Sequence, residues 1–210
     1  MGNSTFLLCD PVSAERAGWF FEILQEAAST VSGESQVNTT VFLTGDALFS
    51  LVDSRSRSSW NRIGALPSVR IIADGDELRL QGLLHSVSSQ ARFVHITGGG
   101  EHGPFWECVV STLKTHRPGM KRAAFLLCNS PYMSRVPVYM LRFFSRVQEA
   151  GLAAEMYTYL DGVHTLHNGQ RPSEFENIGR GVSALANSGA LSGRSEERRV
   201  GKECRSRWSP

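Results

Sequence analysis

The chain has 210 residues, 41% of them apolar and 20% charged, with a formal charge of +2. This is the make-up of an ordinary globular protein with room for one large or two small domains. The positive charge comes from residues 194–210, which hold six of the 22 basic and three of the 20 acidic residues, so that 16 basic side chains face 17 acidic ones elsewhere. That segment, Arg-Ser-Glu-Glu-Arg-Arg-Val-Gly-Lys-Glu-Cys-Arg-Ser-Arg-Trp-Ser-Pro, looks like an in-frame translation of a sequencing-library adapter. It is set aside from functional reading, and with it the basic stretch that would otherwise point to nucleic acid or an anionic membrane. The native frame is expected to end near Gly193.

No apolar run approaches the ~20 residues that span a bilayer, and the N-terminus lacks the basic start of a secretory signal. Outside the tail the cysteines are Cys9, Cys108 and Cys128, too widely separated for a metal motif or a disulfide framework. A cytoplasmic protein without a metal or cofactor, bound to neither nucleic acid nor membrane, is the expectation.

In chain order, Phe6-Leu7-Leu8-Cys9-Asp10 reads as a short buried strand with a loop behind it. A helix follows, with Phe20, Ile23, Leu24 and Ala27 on one face at i, i+3, i+4, i+7. Thr40–Thr44 is the next strand, leading into the turn Gly45-Asp46-Ala47-Leu48. Val69–Ala73 is a third strand ending in Asp74-Gly75, then come a helical stretch over Glu77–Leu84, a strand over Arg92–Thr97, a glycine-rich loop at Gly98–Gly103 and a helix over Phe105–Thr115. Arg117-Pro118-Gly119 reads as a linker.

The pattern then starts again. Phe125-Leu126-Leu127-Cys128-Asn129 repeats the first strand, and Val138, Leu141, Phe144 and Val147 mark the next helix face, with Gly151 where a helix end favours glycine. Glu155–Leu160 is the following strand, its turn Leu160-Asp161-Gly162-Val163 matching Gly45-Asp46-Ala47-Leu48. Trp60-Asn61-Arg62-Ile63-Gly64 is matched by Phe175-Glu176-Asn177-Ile178-Gly179. Two copies of a βαβα unit are expected, residues 1–117 and 120–193, with 194–210 as the tail. Strands alternating with helices imply α/β units with parallel sheets in three layers. The third strand of the second copy would start near Leu191, where the tail begins, so this copy is expected to be truncated without it.

The second copy resembles the DsrE/DsrF/TusD-like sulfur-relay family. The resemblance rests on the polar loop Cys128-Asn129-Ser130-Pro131-Tyr132 after a strand, the Asp161-Gly162-Val163-His164 turn, and the ordered Pro172, Phe175, Asn177-Ile178-Gly179 stretch. The first copy carries the same order more faintly, in Phe42-Leu43-Thr44-Gly45-Asp46-Ala47 and Gln81-Gly82-Leu83. The resemblance implies tandem flavodoxin-like α/β/α units and a cysteine after the third strand, followed by an Arg-Gly pair, that carries sulfane sulfur as a persulfide. Such a thiolate needs an exposed loop that lowers its pKa. Here Asp74 stands at the cysteine position of the first copy and Gln81 at the arginine position, and Cys204 belongs to the tail. The chain as it stands is therefore expected to be inactive in sulfur transfer. Sulfur-relay proteins are the implied partners, in a homo- or hetero-oligomer. The alternative is a non-catalytic binding or assembly subunit, with a small-molecule or nucleotide binder ranked behind both.

Ligands of open parallel sheets bind beyond the carboxyl ends of the strands. That makes Cys9, Asp10, Asp46 and Asp74 the pocket candidates of the first copy, and Cys128, Asn129, Asp161 and His164 those of the second. Each has a plainer reading. Cys9 and Cys128 would be small residues filling strand ends, and Asp46, Asp74 and Asp161 would cap the helical turns behind them. His164 and His167 lack a third ligand at a recognisable spacing. Gly98–Gly103 matches neither phosphate-binding nor dinucleotide fingerprints.

Overall fold

The computed structural model describes residues 3–11, 14–29, 38–98, 104–166, 170, 172, 177–189 and 191–195. The chain divides into two compact units, Met1–Pro118 and Gly119–Pro210. Both are α/β with parallel strands.

In the first unit the strands are β1 (Ser4–Leu8), β2 (Thr39–Leu43), β3 (Val69–Ala73) and β4 (Val94–Ile96), parallel and in the spatial order β1-β2-β3-β4. The helices are α1 (Ala14–Ser29), α2 (Ser54–Gly64), α3 (Gly75–Leu80), α4 (Leu84–Gln90) and α5 (Phe105–His116), with a 3₁₀ segment over Gly45–Leu51. Neighbouring strand residues point to opposite faces. Val41, Leu43, Ile71 and Ala73 face one way and form a core with Phe21 and Leu24 of α1, Trp60 and Ile63 of α2, Leu78 of α3 and Val87 of α4. Phe42 faces the other way and meets Phe105 of α5 edge-on, with ring centroids 5.7 Å apart. The sheet is thus covered on both faces, and β2, inside it, is buried at every position, as a central parallel strand requires.

Trp60 anchors the larger core. Its ring meets Phe20 and Phe21 edge-to-face, and its indole N–H donates to Ser50 Oγ at 3.0 Å. Each fully buried aromatic of this kind contributes about 2–3 kcal/mol of transfer free energy. The helical stretch read over Glu77–Leu84 is two short helices, because Gln81 ends α3 and the chain turns before Leu84.

The second unit holds β5 (Arg122–Leu127), α6 (Val136–Glu149), β6 (Ala153–Thr158), a 3₁₀ segment over Leu160–Leu166, α7 (Ile178–Asn187) and β7 (Leu191–Ser195). Its sheet is parallel in the order β5-β6-β7. Phe125 packs against Phe143 and Phe144 of α6, and Ala154 and Met156 are buried with it. The opposite face carries Arg122, Ala124 and Leu126, and Leu126 is 62% exposed. An Arg122–Glu155 ion pair at 2.7 Å lies on that face.

The second copy does have a third strand. β7 starts at Leu191 and pairs with β6 from Ala154↔Leu191 to Thr158↔Ser195, so its last two residues come from the adapter-like tail. Parallel pairing uses main-chain groups alone. The free edge of β6 therefore accepts the chain that leaves α7, whatever its side chains, and Leu191 supplies the buried contact. Among the described residues no helix is long and apolar enough to cross a membrane.

Candidate functional site at the carboxyl ends of the strands

In the first unit the ends of β2, β3 and β4 are tied around Asp74. This residue is the N-cap of α3, and its Oδ1 accepts from the N–H groups of Asp76 at 3.1 Å and Glu77 at 3.3 Å. Oδ2 accepts from the Thr44 hydroxyl at 2.8 Å. Asp74, Thr44 and Glu77 are all buried. Burial pushes the Asp74 carboxyl above its ordinary range against the hydrogen bonds from Thr44 and the main chain, which favour the charged form, while the nearby Glu77 adds to the upward push.

Thr97 closes the cluster from β4, its N–H and hydroxyl both donating to Ala73 O, at 2.9 and 3.1 Å. A Cβ on Gly75 would fall 1.8 Å from Thr97 O, so only glycine lets α3 start this close to β4. Beside it, Arg79 bridges Asp76 Oδ1 and Gly98 O. Asp74 is therefore a fully engaged cap, with its carboxylate turned to the helix and to Thr44 and away from solvent.

The other candidates of this unit differ from one another. Cys9 is half-buried, and its thiol is pushed up to about 12 by burial, with the Asp10 charge adding to the shift. At neutral pH it is a thiol, poor as a nucleophile. Asp10 is exposed. Asp46 is exposed in the first turn of the 3₁₀ segment and does not cap it: the N-cap position is Thr44, whose hydroxyl goes to Asp74 instead. The chain enters that turn through Gly45 at φ 57°, one residue earlier than a cap at Asp46 would need. Cys108, on α5, is also raised by burial.

In the second unit Cys128 and Asn129 lie half-buried just past β5, while Asp161 and His164 are exposed in the 3₁₀ segment after β6. The two loops are in close contact. Tyr159 N–H donates to Leu127 O at 2.9 Å, and a Cβ on Gly162 would lie 2.1 Å from that oxygen and 3.2 Å from Cys128 N. Leu160 holds φ at 52° with its side chain 64% exposed. Tyr132, Met133 and Tyr159 are exposed as well.

Sequence reasoning missed Gln170, which organises this loop cluster. Its Nε2 donates to the carbonyls of His164 and Thr165 at 2.9 and 3.0 Å. Its Oε1 accepts from Tyr132 Oη at 2.7 Å and Gly179 N at 3.0 Å. Asn177 donates to Gln170 O and caps α7 through Arg180 N. The closest sequence signal was Asn177-Ile178-Gly179, which is where Gln170 is received.

Gly99–Gly103, His167, Phe175 and Cys204 lie outside the described residues. Among the described residues no three His, Cys, Asp or Glu side chains converge as metal ligands. No protein-family model matches this chain, nor does any curated protein or solved structure.

Proposed function

We propose that this chain is a DsrE-like sulfur-relay protein made of two tandem copies of one α/β unit, cytoplasmic and working with other sulfur-carrying proteins. The first copy is degenerate. The native second copy continues past β7 to a carrier cysteine. Each unit uses the same hydrogen bond between the ends of its first two strands, Thr44 N to Leu8 O in one and Tyr159 N to Leu127 O in the other. Each follows it with a residue in the left-handed region, Gly45 or Leu160, and then a buried small residue, Ala47 or Gly162. These matches support the duplication.

The observation that carries the functional reading is Asp74. At the strand end where the family resemblance would put the thiol stands a buried carboxyl that caps α3. Cys9, just past β1, is held protonated by its surroundings. The first copy thus serves as a folded partner with no sulfur chemistry of its own. In the carrier copy a thiolate would attack the outer sulfur of a donor persulfide, forming a new S–S bond and releasing the donor as its own thiolate.

The engaged state of Asp74 equally favours a second reading, an assembly subunit in which neither copy carries sulfur. Sequencing the native gene beyond the codon for Gly193 separates the two. An apolar strand followed by cysteine and an Arg-Gly pair supports the carrier. Native sequence without that cysteine gives the assembly reading.

A further inference from the structure

A half-open polar cleft of the first unit lies at the opposite end of β1 from Cys9. It has a volume of about 360 Å³ and sits between the start of β1, residues Asn3 to Phe6, and the end of α5, at Leu113, His116 and Arg117. That volume falls within the range of small-ligand sites, roughly 300–1,000 Å³. We propose that this cleft binds a small organic anion, a carboxylate or phosphate head on a short apolar body. The site is independent of the sulfur-relay reading.

Its lining sets the ligand class. It carries one permanent cation, Arg117, together with a histidine, two hydroxyls and an amide, and no acid. Arg117 forms no ion pair among the described residues, and its N–H is satisfied by Leu113 O at 2.9 Å. The C-terminus of α5 places about half a negative charge nearby, which the full charge of the guanidinium outweighs.

His116 Nδ1 is bound to the Thr5 hydroxyl at 2.8 Å. When that hydroxyl donates, the neutral ring presents Nε2–H as a donor. Burial lowers the pKa of His116, which favours the neutral ring, and in that tautomer it is a neutral donor beside a charged one. Phe6 and Leu113 supply the apolar walls. A head group between Arg117 and His116 would lay its carbon chain against Phe6 and Leu113.

The test is NMR of the histidine side chains in the whole chain, titrated with butyrate, acetate and inorganic phosphate against chloride at matched ionic strength. His116→Gln assigns the resonance, and exposed His164 serves as an internal control. The expected result is a saturable shift of His116 alone, with butyrate binding more tightly than acetate if the head is a carboxylate and phosphate saturating if it is a phosphate. Arg117→Gln, at an exposed position, weakens binding about tenfold or more. A His116 shift equal to that in chloride, parallel movement of His164, or unchanged affinity in Arg117→Gln overturns the proposal.

Discussion

Replacing Asp74 separates a structural cap from a reactive group. Asp74→Ala removes the oxygens that receive Asp76 N, Glu77 N and Thr44 Oγ1. Loss of an N-cap costs about 0.5–2 kcal/mol. Leaving the buried Thr44 hydroxyl without its acceptor costs about 1–3 kcal/mol more. Relief of the buried carboxylate's desolvation offsets part of this, for a net loss of about 2–3 kcal/mol. With a urea dependence of about 2 kcal/mol per M, the unfolding midpoint should fall by about 1 M. The assay is urea unfolding followed by tryptophan fluorescence, because Trp60 and Trp106 are both buried in the first unit. Asp74→Asn keeps an acceptor and a capping side chain, and should remain within about 1 kcal/mol of the original.

The two variants also differ with pH. The Asp74 pKa is raised on folding, so the folded state holds that proton more tightly than the unfolded chain. The stability this adds is fully present below the ordinary carboxylate pKa and is lost as pH rises through the folded value. The advantage of Asp74 over Asn should therefore shrink from acidic toward neutral pH. Equal stability of the Ala and Asn variants, or an Asp advantage that grows with pH, would refute this account of the site.

Other residues give separate tests. At Leu160 the left-handed backbone reverses the usual order of alanine and glycine: Leu160→Gly should be more stable than Leu160→Ala by about 1 kcal/mol, measured by thermal unfolding, and the reverse order would exclude φ 52° in solution. Gly75→Ala and Gly162→Ala drive a Cβ into Thr97 O and Leu127 O; each should lose more than about 2 kcal/mol, seen as lowered melting temperatures, and a neutral effect would count against these close approaches. Folded Cys9, at about 12, should react with iodoacetamide near pH 8 about a thousandfold more slowly than an ordinary thiol, read by mass spectrometry against the urea-unfolded chain.

Local patterns made much of this fold legible. Val69–Ala73 was read to the residue because an apolar run interrupted only by Arg70 and ending in Asp-Gly leaves little choice of boundary. Asp74 as a cap followed from the same ending. α2 left a weaker trace, since Ser-Arg-Ser-Arg-Ser-Ser offers almost no apolar periodicity and the helix is held by Trp60 and Ile63. Asp46 was misjudged as a cap because Gly45 begins the turn and shifts the cap position to Thr44. The start of β7 near Leu191 followed from the register of the first copy, but the strand was expected to be missing; it forms because edge pairing depends on the exposed main chain of β6 more than on the identity of the entering residues. The contacts of Gln170 and the Thr5–His116 pair join residues distant in sequence, and no local period encodes them.

The most direct test of the sulfur-relay account is to load the native-length protein with sulfane sulfur, trap persulfides by alkylation, and locate them by mass spectrometry. The account predicts a persulfide on a cysteine beyond β7 and none on Cys9 or Cys108. A persulfide on Cys9, or a native protein that takes up none, would contradict it.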